Sequence, residues 1–332
     1  MDVSEHELTG YFKYCSDDPR VINGIFRNHK IRFTQPAALN DPLEFSPIIR
    51  FEDNGANYSW FSLNRIPLPS EESRLRHRLI DQQINAFGVL SLTKNPDSFG
   101  MWSRYANGHK GFLIEFKGDL NKYPCMLPPS NEVFYPIREV QYVDEYAINI
   151  DELTDDEGQI QLKMFNDLMF YRKLLRWKTE QEYRMVRPFS DLPDYTPLNN
   201  KAHRDTDRVH LFELSLDCIE SVSFGACMLL ENRESIKEAC KNSKIDFLQA
   251  IIIRDEKDAF GKAPKISLQS VDSLPGSSRM RPFPFIVETE HFEDIQREKP
   301  ISSLSELPYW EDNKQWVQQV YDIAKERRGV TS

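Results

Sequence analysis

Two glutamates flank a glutamine at Glu180-Gln181-Glu182, and the chain around them is strongly basic. From Arg172 to Arg187 six bases (Arg172, Lys173, Arg176, Lys178, Arg184, Arg187) stand against two acids, in a chain of net charge −10. A positive stretch inside an acidic chain suits a phosphate-bearing ligand. A carboxylate there can accept a hydrogen bond from a hydroxyl or stabilise positive charge that develops during a reaction. Other polar side chains stand on segments that read as strands: Arg32 beside Ile31 and Phe33, and Ser91 and Thr93 on either side of Leu92. Trp102 and Tyr105 could stack on a cationic ring, and His109 could supply a polar contact. Each of these residues also has a commoner use. Glu180, Glu182 and Arg184 on one strand face would form a solvated, ion-paired edge. Arg32 would point outward from a half-buried strand, and Ser91 and Thr93 would be ordinary strand residues. Met101, Trp102 and Tyr105 lie at helical spacing and would be core, and His109 would be a hydrogen-bonded surface or core residue. Asn40-Asp41-Pro42 would hold a turn through side-chain-to-backbone bonds, and that turn could aim Glu44 at a cleft.

These candidates need elements to position them. Strands are expected at 30–34, 87–93, 111–116, 140–143, 180–186, 209–214, 219–224, 250–254 and 265–268, from apolar alternation and flanking turn residues. A long helix is expected over 160–177, where Leu162, Phe165, Leu168, Met169 and Leu175 recur at helical spacing. Further helices are expected at 71–86, 231–240 and 313–326. Residues 144–157 hold seven acids and no base, which predicts an exposed loop whose charge favours the N-terminus of the helix after it. Strands and helices do not alternate regularly. The expected class is therefore α+β: a mixed or antiparallel sheet core with flanking helices, in a single large domain over 1–274 and a C-terminal extension over 275–332.

Composition limits the function classes. Of 332 residues, 40% are hydrophobic and 28% charged, the balance of a globular protein with a buried core. The acidic total argues against extended binding of duplex nucleic acid. The apolar runs are far shorter than the roughly 20 residues needed to cross a bilayer, so no membrane partner is expected. Five scattered cysteines without a paired motif, together with an acidic N-terminus, lead to the expectation of a cytoplasmic protein with reduced thiols. No phosphate-binding glycine loop, dinucleotide fingerprint, nucleophile elbow or zinc-protease motif is present.

Several blocks together resemble the domain of unknown function 2971 family of bacteria. They are Tyr11-Phe12-Lys13-Tyr14, then Arg32-Phe33-Thr34-Gln35-Pro36 with Asn40-Asp41-Pro42-Leu43-Glu44. Met101-Trp102-Ser103-Arg104-Tyr105-Ala106 with His109-Lys110-Gly111 follows, and last come Lys173, Trp177 and Glu180 to Arg184. The likeness runs over about residues 11–270, and Leu43 stands where an aromatic residue is usual. That family brings no established activity with it.

A second resemblance concerns chemistry. Arg32, Ser91-Leu92-Thr93 and Glu180-Gln181-Glu182 follow one another like the Arg, Ser-x-Ser and Glu-x-Glu elements of one class of ADP-ribosyltransferases, with threonine in place of the last serine. The resemblance implies that Glu182 is the catalytic acid and that Glu180 orients or deprotonates the acceptor. It also implies that Arg32 contacts NAD, consumed as a substrate, and that Ser91 and Thr93 shape the nicotinamide pocket. Trp102, Tyr105 and His109 would complete cofactor binding. The expected partner is a dinucleotide or another phosphate-bearing ligand, with the acceptor open, and families of this kind often look like parts of phage-defence or toxin systems. Two alternatives stay open: a metal-dependent nuclease in which Asp41, Glu44, Glu180 and Glu182 gather a divalent cation to activate water, with Lys173 or Lys178 assisting phosphate binding, and a non-catalytic nucleotide or nucleic-acid sensor.

Overall fold

The computed structural model describes residues 10–41, 44–45, 48–50, 57–59, 86–118, 120–123, 136–149, 162–192, 209–254, 265–271 and 286–288. In chain order the strands are β1 (Tyr11–Cys15), β2 (Lys30–Phe33), β3 (Ile48–Arg50), β4 (Asn57–Ser59), β5 (Phe87–Thr93), β6 (Phe112–Phe116), β7 (Arg138–Glu139) and β8 (Gln141–Val143). They continue with β9 (Ala147–Asn149), β10 (Arg172–Leu174), β11 (Glu182–Pro188), β12 (His210–Glu213), β13 (Ile219–Phe224), β14 (Asp246–Arg254), β15 (Lys265–Ser270) and β16 (Ile286–Glu288). The helices are α1 (Pro19–Phe26), α2 (Phe99–Tyr105), α3 (Leu162–Phe170) and α4 (Leu230–Ala239). The class is α+β, with parallel and antiparallel strand pairs and helices beside them. The expected helices at 71–86 and 313–326 lie outside the described residues, apart from Ala86. Among the described residues no helix is long and apolar enough to cross a membrane, and the described cysteines Cys15, Cys218, Cys227 and Cys240 are free thiols.

The chain divides into two compact units, one formed by 1–29, 95–118 and 215–332, the other by 30–94 and 119–214. In the first, β6 lies between β1 and β13, antiparallel to both, and β13 runs parallel to β14. Every residue of β6 is buried, as expected for a strand covered on both faces. Phe12, Tyr14 and Leu113 turn to one face and pack with Met101 and Trp102 of α2. On the other face Phe112 meets Phe26 of α1, ring centres 5.4 Å apart. Helix α1 begins at Pro19, where the Asp18 side chain caps the Arg20 N–H at 2.8 Å, so a missing amide and a carboxylate both act where helix donors are free.

The second unit carries the candidate residues. Strand β11 pairs antiparallel with β5 and with β7. Strand β2 pairs antiparallel with β12 and touches β5 through one bridge, Thr34 to Val89. Its core is aromatic: Phe33 against Phe212 at 4.7 Å, and Phe170 between Phe45 and Phe87 at 5.6 and 5.4 Å. The helix expected over 160–177 is shorter. It ends at Phe170, and residues 172–174 pair in parallel with β8, Lys173 opposite Tyr142. A 3-10 turn, Leu175–Glu180, follows. Long-range strand pairing overrides helical spacing there, which a local pattern does not register. The strand expected from Glu180 starts at Glu182 instead, because Gln181 adopts a left-handed conformation (φ 45°).

Close backbone approach fixes one glycine. A Cβ on Gly225 would lie 2.2 Å from the His109 carbonyl oxygen and 2.6 Å from that of Gly111, whereas one on Gly118 would meet nothing within 4 Å. Gly225→Ala is therefore expected to lower unfolding free energy by roughly 1–3 kcal/mol through overpacking against backbone. Gly118→Ala should stay within about 0.5 kcal/mol of the parent. Urea unfolding of both variants measures the difference.

Candidate functional site

Strand alternation decides which side chains can meet. In the β5–β11 register Thr93 stands opposite Glu182, Ser91 opposite Arg184, and Val89 opposite Val186. Paired residues share a face, so Ser91, Thr93, Glu182 and Arg184 lie together. The bridge from Thr34 to Val89 extends that face to β2, where alternation puts Arg32 on it as well. Phe33 and Arg187 turn the other way, the Arg187 guanidinium resting 5.9 Å from the Phe33 ring centre. The Arg32, Ser91, Thr93 and Glu182 candidates thus occupy one face of one unit.

The solvated edge expected of Glu180, Glu182 and Arg184 is not what forms. Glu180 and Glu182 are 3% and 4% exposed and Arg184 is fully enclosed. Lys173 gathers the acids: its ammonium donates to Glu180 Oε2 at 2.8 Å and to Glu182 Oε2 at 2.7 Å. The left-handed Gln181 makes this possible, since it joins a 3-10 turn to a strand and swings both carboxylates onto one cation. Thr93 Oγ1 donates to the Glu180 carbonyl at 2.6 Å, and the Glu182 N–H donates to the Tyr142 hydroxyl at 2.8 Å, which fixes the backbone on each side of the kink.

Arg184 holds Glu182 from the other side. Its Nε donates to Glu182 Oε1 at 2.8 Å and its Nη2 to Oε2 at 3.1 Å, while Nη1 donates to the Phe170 carbonyl at 2.8 Å. This two-pronged geometry is one that only a guanidinium supplies. Ser91 adds a side-chain hydrogen bond to Glu182. A turn closed by the Glu44 N–H on the Asp41 carbonyl, at 3.0 Å, brings in a third acid. Glu44 pairs with Arg184 and lies 3.7 Å from the Lys173 ammonium. Phe45 follows at φ 59° with its ring 5.1 Å below the Arg184 guanidinium.

Burial dominates the ionisation of this cluster. It raises the Glu182 carboxyl above the ordinary carboxylate range, against the pull of Lys173. Burial alone would lower the Lys173 ammonium, but Glu182 and Glu180 beside it carry it above the ordinary lysine range. Burial lowers Arg184 to about 9, which leaves it protonated at neutral pH. Among the described residues no group of three His, Cys, Asp or Glu is disposed to hold a metal ion. The cation on which Glu180 and Glu182 converge is the lysine ammonium.

Arg32 is half-buried, and burial lowers its guanidinium; its Nε has no hydrogen-bond partner among the described residues. Trp102, Tyr105 and His109 belong to the other unit. Trp102 is fully buried, edge-on to Tyr14 at 5.3 Å, with its indole N–H on the Pro96 carbonyl at 2.9 Å. This is the core role that its helical spacing allowed, and the enclosed ring offers no face to a ligand. Tyr105 packs at the margin of the same cluster. His109 is 6% exposed, its ring 4.6 Å from that of Phe99, and neither ring nitrogen has a hydrogen-bond partner among the described residues. Sequence reasoning left Arg184 out of the site and gave Lys173 a role only in the nuclease alternative. The signal for both was present in their spacing from the two glutamates, but their burial was not.

A buried cation between two acids is costly to remove. Lys173→Met should cost about 3–5 kcal/mol, because it leaves carboxylates uncompensated in the interior. The sign of the pH dependence follows from the raised lysine value. Stabilisation by Lys173 is complete below its ordinary pKa of about 10.4 and fades as pH rises through the folded-state value above it. The parent should therefore lose stability on this alkaline limb and Lys173→Met should lack the loss, as denaturant unfolding across pH will register.

Comparison with known proteins adds a family likeness. No curated protein and no solved structure matches the chain. The family model described as a protein of unknown function (DUF2971) matches residues 101–185, which takes in Lys173, Glu180, Glu182 and Arg184 but leaves the Arg32 and Asp41 blocks outside. Over those residues the chain is similar to that family.

Proposed function

We propose that the second unit carries an NAD-cleaving site of the ADP-ribosyltransferase kind, with Glu182 as its catalytic acid. The observation that carries the reading is the register: Glu182 heads strand β11 directly opposite Thr93, bonded by Ser91, on the face that holds Arg32. In such a reaction the bond from ribose C1′ to the nicotinamide nitrogen breaks, and nicotinamide leaves with the electron pair. The sugar is left oxocarbenium-like until an acceptor attacks C1′ and gives up a proton. Glu182 would accept the ribose 2′-hydroxyl bond and stabilise that positive charge. Its Oε2 already accepts two donors, from Lys173 and Arg184, so the hydroxyl would take the place of one of them. Glu180 would orient the acceptor or receive its proton, and Arg32 would meet a phosphate.

A second reading rests on that saturation. A carboxylate with both oxygens engaged inside the protein also suits a scaffold for a nucleotide sensor without turnover. Nicotinamide release from NAD separates the two. Glu182→Gln keeps size and removes charge, so release should fall by at least ~100-fold, with melting temperature checked alongside. Arg32→Ala, at a half-buried position, should raise KM for NAD by ~10-fold and leave folding intact. Equal release by parent and Glu182→Gln would reject the assignment. A nucleotide that raises the melting temperature without any release would favour the sensor.

A further inference from the structure

The turn that ends on Glu180 displays a second set of residues on its outer side. Arg176 and Trp177 lie within it, and a nearly buried acid holds both: Asp41 accepts from Trp177 Nε1 at 2.6 Å and from Arg176 Nη2 at 3.0 Å. The Asp41 side chain is 5% exposed, whereas that of Arg176 is 52% exposed. Trp177 is half-buried, and Lys178 beside it is exposed. The Arg176 guanidinium is 5.6 Å from the Trp177 ring centre on the surface, and the Lys173 ammonium is 5.5 Å from it in the interior. Among the described residues the Lys178 ammonium makes no ion pair.

An enclosed carboxylate gains little stability from fixing a guanidinium that is mostly in water, since exposed pairs contribute only about 0–1 kcal/mol. What it does give is orientation. An indole ring and a guanidinium are locked side by side, and the exposed Lys178 is next in sequence. An aromatic ring beside an exposed guanidinium is the complement of a flat base that carries a phosphate, which stacks on the ring while its oxygens take the positive charge. We infer that Arg176, Trp177 and Lys178, positioned by Asp41, form a binding site for the base and phosphate of a nucleotide. The site adjoins Glu180 along the chain, and as part of an NAD site it rests on the function proposed above. As a nucleotide site it stands alone.

Titration calorimetry with AMP, adenosine and ribose 5-phosphate tests it, on the full chain and on Arg176→Ala, Trp177→Leu and Asp41→Asn. AMP should bind the parent more tightly than either fragment. Arg176→Ala should weaken AMP by ~10-fold and leave adenosine unchanged, and Trp177→Leu should weaken AMP and adenosine alike. Asp41→Asn should weaken AMP while the indole stays in place. Arg176 is exposed enough that its variant tests the site even if Trp177→Leu does not fold. AMP binding that is absent from the parent, or equal in all the variants, overturns the assignment. So does binding of single-stranded RNA without binding of mononucleotides. Nicotinamide release that persists with an unchanged KM in Arg176→Ala would reject the part of this site in NAD binding and leave the Glu182 reading standing. Loss of AMP binding in a chain that never releases nicotinamide would do the reverse.

Discussion

One ammonium group inside the second unit sets the terms for everything near it. Lys173 is 6% exposed and touches two carboxylates at hydrogen-bond distance. Removing such charges from water costs several kcal/mol per ion, and only close, aligned partners offset it. The local backbone reflects that demand. A strand of three residues, β10, carries the lysine inward, a 3-10 turn and a left-handed Gln181 return the chain, and β11 begins on the second acid. Arg184 then closes the cluster two residues further on, bonded to the same acid at 2.8 Å. Since every member depends on the others, the cluster admits few alternative arrangements. A network of this kind specifies geometry more than it adds stability.

Much of the framework was legible. Strands 87–93 and 219–224 were read to the residue, because apolar alternation ends there at turn-forming neighbours. Helix α4 differs by one residue at each end from the 231–240 expected. The exposed loop expected over 144–157 holds strand β9, with Tyr146 and Ile148 buried. Two other mistakes share one cause. Residues 171–177 look helical because Leu175 continues a spacing begun in α3, yet pairing with β8 captures 172–174. Glu180 looks like a strand residue because it stands just before the polar and apolar alternation of Glu182 to Met185, yet the kink at Gln181 puts it at the end of a turn. Neither the partner strand nor a left-handed glutamine leaves a mark in local periodicity.

The site was half legible for a related reason. Residue types and their order along the chain pointed to Ser91, Thr93, Glu180 and Glu182; the β5–β11 register brings Ser91, Thr93 and Glu182 together, and Thr93 holds Glu180 through its carbonyl. Burial was misjudged, because charged residues two apart normally decorate a solvated edge, and here three carboxylates meet two cations in the interior. The aromatic candidates followed the opposite course. Trp102 proved to be core, while Trp177, held by Asp41, is half-buried. A reading of these same acids as ligands for a divalent metal must account for Lys173, whose ammonium already stands where Glu180 and Glu182 converge.

Glu182 is an enclosed acid whose ionisation burial opposes and Lys173 favours. Carboxyl carbon NMR of glutamate-labelled protein, titrated with pH in the parent and in Lys173→Met, measures this directly. A Glu182 signal that titrates above the ordinary glutamate value of about 4.3, and moves higher still without the lysine, is the predicted result. A midpoint at the ordinary value, the same in both proteins, would contradict it.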